Sequence, residues 1–449
     1  MLSAECGVWF PKRRVAPWQP PRRSPATRRS ILTSFRTALR TPHFIWLNLF
    51  WFANNLHWGA LLSIVVPSQV DKLFGNKELN YPLVVVGGTL AAVIVHPLAG
   101  ALSDRTTARL GRRRPWLLWG TLPNLIGLGL MAIAPSVPLL ALGYLVVQVA
   151  NNAVNAPWSA VIADQVPAAQ RGAASGWNGL LTVAGTVVGS LVGGLIVSKD
   201  QPLDEYRVKL VIMYGLIAAV QAAVVLITAW RVRETPLATA RPFNRADIAR
   251  TYWVSPSAGR DFFWVCLTRF MMQQGMWGIF FFLQYYFDDV LGLPGERTMG
   301  TLFLPVVMVA AMTTVYFAGA LSDRHGRKPL VYLSGALMSV VCFGFMLVQH
   351  PIAVPVCALL FGIGYGAYTS VDWALACDVL PDDQEYGRDM GIWAIAGILP
   401  QIFGIVLGGI TLAFFKTFPN HLGYTILFVF TLVWFILGTV LIRRVKQVR

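Results

Sequence analysis

The amino-acid sequence predicts an all-α membrane protein of 12 transmembrane helices, arranged as two pseudo-symmetric six-helix bundles. Composition supports this prediction first: the 449 residues are 55% hydrophobic and 13% charged, whereas about 25% of the residues in a soluble domain are charged. Second, the apolar residues form runs of about 20, enough for a helix to cross about 30 Å of hydrocarbon. Third, two loop motifs recur half a chain apart.

The apolar runs predict helices at 44–66, 82–101, 116–135, 137–157, 173–197, 210–230, 262–287, 298–320, 330–349, 352–372, 390–413 and 422–441. Six of these helices precede a polar, basic segment and six follow it. We therefore expect an N-terminal bundle at 41–230, a cytoplasmic linker at 231–260, a C-terminal bundle at 261–442 and a cytoplasmic tail at 443–449.

The distribution of basic residues predicts the orientation in the membrane. The formal net charge is +16, and 29 of the 37 Lys and Arg residues fall on one side of the predicted helices. Cytoplasmic loops carry such an excess. We therefore expect both termini in the cytoplasm and the protein in the plasma (cytoplasmic) membrane, and the basic charge requires no nucleic-acid partner.

The N-terminal segment 1–40 differs from the rest of the chain. It holds five prolines and nine Lys or Arg residues, and it has no apolar run for a signal peptide. We expect a disordered basic tail on the cytoplasmic side, suited to anionic lipid headgroups. The alternative is that translation starts downstream of it.

The chain lacks the sequence signatures of enzyme chemistry. Its five cysteines form no CxxC pair and no metal-ligand spacing. HExxH, GxSxG and Walker motifs do not occur. We therefore expect no enzyme activity and no cofactor, and the segment 231–260 is too short for a signalling domain.

An internal repeat relates the two predicted bundles. Residues 100–105 after the second helix read GALSDR, and residues 319–324 after the eighth helix read the same. A basic turn follows each copy, GRRRP at 111–115 and GRKP at 326–329. The loops after the fourth and tenth helices also match, since both contain Trp, Asp and Pro at similar spacing. Repeated halves of this kind form the two moving bundles of many transporters, around a central site.

These motifs carry a family resemblance. The copy at 319–329 resembles the loop signature of the major facilitator superfamily. The first copy, with its longer insert at 106–110, looks like the variant in sucrose:proton symporters and related glycoside transporters, and residues 58–67 are similar to their first helix. The resemblance implies the major facilitator fold, transport by alternating access, and a central cavity lined by helices one, four, seven and ten.

The resemblance also implies that the loop motifs form a cytoplasmic gate. Asp104 is expected to meet a helix N-terminus and arginines across the seam between the halves, and a carboxylate at such a helix end gains about 0.3–2 kcal/mol. The alternative is that the arginines only set the topology. The candidate gating residues are Asp104, Arg105, Arg112, Asp164, Arg171, Asp323, Arg324, Arg327, Asp378 and Arg388.

Polar residues inside the predicted helices mark a candidate cavity. Helices one, four, seven and ten hold 13 of the Asn, Gln, His and charged residues, and the other eight helices hold 6. Such residues are costly in lipid and tend to face a cavity, although hydrogen bonds between helices are the alternative. Amides with aromatic rings suit a neutral polyhydroxy ligand. The candidate substrate-binding residues are Asn55, His57, Trp58, Asn152, Asn155, Arg269, Gln273, Trp277, Tyr365, Tyr368 and Asp372.

Ionisable residues in the helices bear on coupling. Arg269 lies about 10 Å from the end of its helix and either extends to the interface, pairs with Asp372 or binds an anionic substrate. His57 and Asp372 are the leading candidates for proton binding, with Asp164 behind them. Facilitated diffusion is the alternative to coupling.

The sequence therefore predicts a secondary active transporter that works by alternating access. Proton-coupled symport of a sugar or glycoside is the favoured activity, and export of drugs or metabolites on the same fold is the alternative. The expected partners are a small-molecule substrate, protons and membrane lipid, and the expected state is a monomer.

Overall fold

The computed structural model of the protein describes residues 42–166, 170–234, 236–237, 260–379 and 386–446. The predicted tail at 1–40 and nearly all of the predicted linker at 231–260 lie outside these residues. The end of the predicted tail at 443–449 also lies outside them.

The N-terminal half contains six long helices, and a π-helical turn interrupts the first. α1 comprises Pro42–Ala60, the π-helical turn Leu61–Val65 and Val66–Phe74. The next five are α2 (Lys77–Ser103), α3 (Arg114–Ala132), α4 (Val137–Ser159), α5 (Arg171–Ile196) and α6 (Leu203–Arg231). The short helix Val161–Gln165 lies between α4 and α5.

The C-terminal half also contains six long helices. α7 comprises Arg260–Phe280 and Leu283–Asp289, and α8 comprises Gly295–Arg297, a π-helical turn at Thr298–Phe303 and Leu304–His325. The remaining four are α9 (Lys328–Leu347), α10 (Ala353–Asp378), α11 (Tyr386–Phe415) and α12 (Leu422–Leu441). A 3₁₀ turn, Ile442–Arg444, ends the described chain.

The prediction of an all-α membrane protein with twelve long helices is confirmed for the described residues. Ten helical stretches in this part of the chain are long and apolar enough to cross a membrane by length and composition. α3 and α7 are not among the ten. In α7 the apolar sequence is interrupted by Arg269, Gln273 and Gln274.

Some helices extend beyond their apolar runs. The first helix is predicted at 44–66, whereas α1 continues to Phe74. Gln69 in this extension is fully buried, where its Nε2 donates to Met131 O at 2.9 Å and its Oε1 accepts from Tyr214 Oη at 2.7 Å. A polar residue ends a hydropathy run, but the helix continues because neighbouring helices satisfy that residue.

The two halves pack by the same scheme. In the N-terminal half α1 packs on α5 and α6, α2 packs on α4, and α3 packs on α4 and α6. In the C-terminal half the equivalent pairs, six helices later, make the same contacts. The halves meet through α2 with α11 and through α5 with α8, and these two contacts are themselves related by the repeat.

Glycines allow the close approach of α5 to α1. A Cβ atom on Gly185 would overlap the carbonyl oxygen of Phe52, and one on Gly189 would overlap that of Leu56. Small residues at four-residue spacing let membrane helices pack backbone to backbone. The close approach fixes α1, and with it the polar residues that α1 carries.

The two ends of the molecule have different contacts between the halves. We call the end with loops 75–76, 197–202, 290–294 and 416–421 the outer end, because the charge distribution predicts that it faces away from the cytoplasm. The opposite end, with residues 104–113 and 326–327, is called the motif end. At the outer end Gly300 of α8 packs on Gly194 of α5, where a Cβ on Gly194 would lie 3.0 Å from Gly300 Cα. Tyr285 Oη donates across the same seam to Pro67 O at 3.0 Å, so the halves are closed together at this end.

Candidate functional site

A buried arginine organises the motif end of the N-terminal half. Arg113 directly precedes α3, and its side chain is 4% exposed. Its Nη2 donates to Asp104 Oδ1 at 2.6 Å, its Nε donates to Asp164 Oδ2 at 3.0 Å, and its Nη1 donates to Ser103 Oγ. One side chain thereby joins the end of α2, the start of α3 and the segment that follows α4.

The C-terminal half repeats this arrangement with the same atoms. Arg327 directly precedes α9, its Nε donates to Asp378 Oδ2 at 2.5 Å, and its Nη1 lies 3.5 Å from Ser322 Oγ. These are the nitrogens with which Arg113 contacts its own aspartate and serine. The second pair is more exposed, since 21% of the Arg327 side chain and 40% of the Asp378 side chain are accessible.

The structural counterpart of Arg327 is Arg113, which is not among the predicted gating residues. Counting forward from the motif glycine points to Arg112, whereas counting back from the proline that opens each helix gives Arg113. Arg112 still contributes, through an ion pair with Asp164 Oδ1 at 2.6 Å. Burial disfavours the charge on Arg112, but the hydrogen bond and charge of Asp164, with the charges of Asp104 and Glu234, outweigh this and raise its pKa.

Glu234, just beyond α6, caps the N-terminus of α3. Its Oε2 accepts hydrogen bonds from Arg113 N at 2.7 Å and from Arg114 N at 3.3 Å. A carboxylate is favourable at this end of a helix. Gly111, with a φ of +106°, packs directly against Glu234, and glycine adopts that conformation at no steric cost. No motif in the sequence marks Glu234.

The other predicted gating residues are placed as follows. Asp104 pairs with an arginine of its own half, rather than across the seam as the resemblance implies. Arg105 is half-buried. The side chains of Arg171, Asp323, Arg324 and Arg388 lie outside the described residues. A gating role for this set stays a prediction.

Away from the motif end, a cluster of amides and aromatic rings lies between α1 and α4. Trp58 Nε1 donates to Asn151 Oδ1 at 3.0 Å, and Asn155 Nδ2 donates to the same oxygen at 2.7 Å. The Trp58 ring meets the Tyr144 ring edge to face, with centroids 6.3 Å apart. Asn155 Oδ1 has no partner in the described part of the chain, so the cluster offers an unused acceptor beside an indole ring.

The cluster extends to α2 through His96. His96 Nδ1 lies 3.3 Å from Asn152 Oδ1, and Asn152 Nδ2 donates to Gln148 Oε1 at 3.0 Å. Gln148 Nε2 in turn lies 2.7 Å from Tyr144 Oη. One chain of hydrogen bonds therefore runs from Tyr144 along α4 to His96 of α2, while Asn155 bonds to Asn151 instead. His96 and Asn152 remain half-buried, so both are partly accessible.

The other two predicted residues of α1 are held inside the half. Asn55 Nδ2 donates to Trp51 O at 2.8 Å and lies 3.5 Å from Thr182 Oγ1 of α5. His57 is 0% exposed, and neither of its ring nitrogens has a partner among the described residues. Its ring lies beside Trp58, with centroids 4.8 Å apart. In this conformation His57 packs behind the indole ring and has no accessible surface.

An ion pair forms the matching cluster in the C-terminal half. Arg269 of α7 pairs with Asp372 of α10, and the two side chains are only 11% and 10% exposed. Tyr368 Oη donates to Asp372 Oδ1 at 3.0 Å. The guanidinium carbon of Arg269 lies 3.5 Å from the centroid of the Trp393 ring of α11, a cation–π contact. Of the three interpretations of Arg269, the structure shows pairing with Asp372.

The remaining predicted residues of this half contribute mainly aromatic surface. Trp277 stacks on Phe281 with centroids 5.3 Å apart, and Tyr365 stacks on Phe361 at 6.4 Å. Trp277 Nε1 has no partner within the described residues. Gln273 is half-buried. No described hydrogen bond joins this cluster to the one between α1 and α4.

Sequence reasoning missed two residues of these clusters. Asn151 is adjacent to Asn152 but is not among the predicted binding residues, and the hydrogen bonds that it accepts from Trp58 and Asn155 mark it. Trp393 of α11 was not predicted, because the count of polar residues excluded tryptophan and α11 was not among the four helices rich in polar residues. Among the described residues, no group of three His, Cys, Asp or Glu side chains could hold a metal ion.

Charged residues join the two halves at the outer end. Lys77 Nζ pairs with Asp289 Oδ1 at 2.8 Å, Lys199 Nζ pairs with Asp288 Oδ1 at 2.8 Å, and Lys416 Nζ pairs with Glu78 Oε1 at 3.1 Å. We call these six residues, with Asp71 and Glu296, the outer network. A cavity of about 600 Å³ opens beside it, lined in part by Asp71, Lys77, Glu78, Asp289 and Lys416. The sequence prediction did not include these residues, because they flank loops that carry no motif.

Comparison with known proteins connects this geometry to a family. A family model described as Major Facilitator Superfamily matches residues 52–384 and 306–449. The general alpha-glucoside permease of Schizosaccharomyces pombe is 32% identical over 156 residues, which span 31% of this chain and 28% of the permease. The sucrose transport protein SUC4 of Arabidopsis thaliana is 28% identical over 156 residues, or 30% of each protein.

Other similarities extend over most of the chain. A homolog of the multi-drug resistance efflux pump PmrA, from Lactococcus lactis subsp. lactis, is 22% identical over 386 residues, which span 84% of this chain and 90% of the pump. The crystal structure of a mutant of the nucleoside transporter NupG matches with a TM-score of 0.71 at 11% identity, over 90% of this chain and 100% of that one. This similarity shows a shared fold. With two repeated six-helix halves and a family model that matches most of its length, the chain is an integral membrane transporter that belongs to the Major Facilitator Superfamily.

Proposed function

We propose that the protein is a secondary active transporter that carries a sugar or glycoside by proton-coupled symport. It alternates between a state open to the outer side and a state open to the cytoplasm. The protein acts as a monomer in the plasma membrane, with both termini in the cytoplasm. The residues of the motif end then form the gate on the cytoplasmic side.

The observation that carries the proposal is the chemistry of the α1–α4 cluster. Trp58 supplies an apolar ring face, and Asn152, Asn155 and His96 are half-buried residues that carry hydrogen-bond donors and acceptors. Sugars combine several hydroxyl groups with apolar C–H faces, which suits this mixture. Within the described clusters the charge of Arg269 is already neutralised by Asp372, so a neutral ligand fits the site better than an anion.

The similar proteins support two candidate functions. The alpha-glucoside permease and the sucrose transport protein match about a third of the chain, and their names favour sugar uptake. The efflux pump homolog matches 84% of it, and its name favours export. Export of a drug or metabolite is therefore the second candidate function, on the same fold and with the same central clusters.

Uptake into proteoliposomes tests the proposal. The purified protein is reconstituted and offered a panel of labelled disaccharides and glycosides, with and without an inward proton gradient. We expect uptake of at least one sugar, stimulated by the gradient and abolished by a protonophore. A panel without gradient-stimulated uptake would contradict sugar symport, and raised drug sensitivity of cells that lack the protein would favour export.

The α1–α4 cluster provides the matched variant for this assay. Trp58→Phe keeps an apolar ring but removes the donor to Asn151, whereas Trp434→Phe changes a tryptophan of α12 that packs on Phe270 within the C-terminal half. We expect weaker sugar uptake for Trp58→Phe, seen as a raised KM, and unchanged uptake for Trp434→Phe. Equal KM values for both variants would remove the α1–α4 cluster from the binding site.

A further inference from the structure

A carboxyl group is buried between the halves at the outer end. Glu296 at the start of α8 is 0% exposed. Its Oε1 accepts a hydrogen bond of 2.8 Å from Ser68 Oγ of α1, which also lies 3.1 Å from Tyr206 Oη of α6. Its Oε2 has no partner among the described residues. A carboxylate buried with one unpartnered oxygen is costly, because a buried charge needs hydrogen bonds or an ion pair to replace its hydration.

The charges around Glu296 do not balance. Lys199 pairs with Asp288 at 2.8 Å, and the Asp288 side chain is only 4% exposed. Asp288 also accepts a hydrogen bond from Gly295 N at 2.9 Å. The more distant Asp71 lies 3.9 Å from Lys199 Nζ.

The charge of Lys77 also acts on Asp288, but the direct ion pair of Lys77 is with Asp289. The ammonium group of Lys199 is therefore shared by the carboxyl groups of Asp288 and Glu296, and these three side chains are neutral together when the two carboxyl groups hold one proton.

The ammonium group stays charged in this surrounding. Burial disfavours the charge on Lys199, but its hydrogen bond to Asp288 and the charges of Asp288, Asp71 and Glu296 outweigh this and raise its pKa. Lys199 is then committed to Asp288. The proton belongs on Glu296, because no described cation pairs with it directly and its partner Ser68 can also donate to the carbonyl oxygen of a neutral acid.

We propose that Glu296 is a proton-binding site at the seam between the halves, and that the outer end closes only after Glu296 takes a proton from the outer solution. The proton forms a bond with Oε2 of the carboxylate while the seam is open. Closing then buries a neutral acid against Ser68, instead of a carboxylate. The proposal deepens the proposed proton coupling, on which its role in transport rests, by naming the residue that senses the proton.

The position of Glu296 supports this assignment. Glu296 belongs to the C-terminal half, and its hydrogen-bond partner Ser68 belongs to the N-terminal half, so the site exists only when the seam is closed. The π-helical turn of α8 begins two residues later, at Thr298, and its Gly300 packs against α5. A change of charge at Glu296 therefore acts directly on the contact that holds the halves together.

The test measures closing of the outer end against pH without substrate. Spin labels are placed at Asp204→Cys of the N-terminal half and Thr417→Cys of the C-terminal half, both exposed, in a background without other cysteines. Distances between the labels are then measured in nanodiscs over a range of pH. In the pH range where Glu296 is ionised in the open state and protonated in the closed state, the closed state binds one more proton, and the ratio of closed to open molecules should rise about tenfold for each unit that pH falls.

Three variants assign the proton. Glu296→Gln mimics the neutral acid and should stay closed at every pH. Glu78→Gln is the matched control, since it removes an acid that is already paired with Lys416, and it should shift the ratio while keeping its slope against pH. The proposal is overturned if Glu296→Gln keeps the slope against pH. If Asp288→Asn then removes the slope, the proton belongs to Asp288 instead.

A second measurement uses the unlabelled wild-type chain, so it does not depend on a variant that folds poorly. Infrared difference spectra between high and low pH should show a carbonyl band of a protonated carboxyl group that moves when glutamate carries ¹³C. A band that moves only with labelled aspartate, or no band at all, contradicts the assignment. Neither measurement contains a sugar, so an uptake panel without transport does not contradict the proton site. If a proton gradient drives uptake but the closing of the outer end does not depend on pH, only the assignment to Glu296 is overturned.

Discussion

One arginine in each half holds the loop motif in the same way. Arg113 and Arg327 use the same nitrogens to contact an aspartate and a serine. The difference is burial, because Arg113 is 4% exposed and Arg327 is 21% exposed. A buried arginine between two carboxylates ties three segments together, whereas an exposed pair gains less from the same geometry.

This difference predicts unequal effects of matched substitutions. Arg113→Ala removes a buried guanidinium, but Asp164 keeps its ion pair with Arg112 and the Asp104 side chain is 58% exposed. We therefore expect a loss of roughly 2 kcal/mol in the free energy of unfolding, the range for hydrogen bonds to a charged group. Arg327→Ala should cost less than about 1 kcal/mol. Reversible unfolding in mixed micelles measures both, and equal losses would show that burial does not set the strength of the motif.

The internal ion pair predicts a rescue experiment. Arg269→Gln leaves Asp372 unpaired and Asp372→Asn leaves Arg269 unpaired, and each should abolish transport because an unpaired charge at this depth is costly. If the pair is structural, the double variant Arg269→Gln/Asp372→Asn should recover transport, since the hydrogen bond from Tyr368 to position 372 can persist. Initial rates of uptake measure the recovery. Failure of the double variant to recover, with normal folding, would assign a direct role to one of the two charges.

At the scale of helices, the sequence predicts the type and number of the elements better than it predicts the residues at which each helix ends. Runs of apolar residues mark the membrane, so twelve helices could be counted. The extension of α1 to Phe74 could not be predicted, because it depends on partners such as Met131 that satisfy Gln69. The break of α7 at Phe280 and the π-helical turns of α1 and α8 likewise have no local signal.

The glycine spacing in α5 gives a prediction at this scale. Gly189→Ala places a Cβ atom on the backbone of α1 at Leu56, and we expect a loss of at least about 2 kcal/mol, typical of overpacking. Gly193→Ala is the control on the same helix face, because its Cβ would lie 3.5 Å from Ile64 Cδ1. It should change stability by less than about 0.5 kcal/mol. Thermal unfolding in detergent compares them, and similar melting temperatures would contradict the backbone contact.

At the scale of the whole molecule, the repeat predicted two halves but not which end joins them. The repeated residues lie at the motif end, but the ion pairs described there lie inside each half. The residues of the outer network do not belong to a repeated motif. Lys77, Lys199 and Lys416 each pair with an acid of the other half. A contact between unrelated residues leaves no pattern in one sequence. The polar clusters inside the helices were more predictable, because polar side chains inside apolar helices stand out by composition alone, and their role in binding stays a prediction.

If the halves must separate at the outer end during transport, a reversible link between them should stop it. Lys77→Cys/Asp289→Cys, joined by a short cleavable thiol crosslinker, connects the halves where the native pair lies at 2.8 Å. Lys77→Cys/Asp71→Cys is the matched control, because that pair, at 3.8 Å, lies inside the N-terminal half. We expect crosslinking to abolish uptake only in the first variant, and reduction to restore it, when each is compared with its own uncrosslinked form. Uptake that persists through a complete crosslink of residues 77 and 289 would mean that the outer end does not open in the cycle.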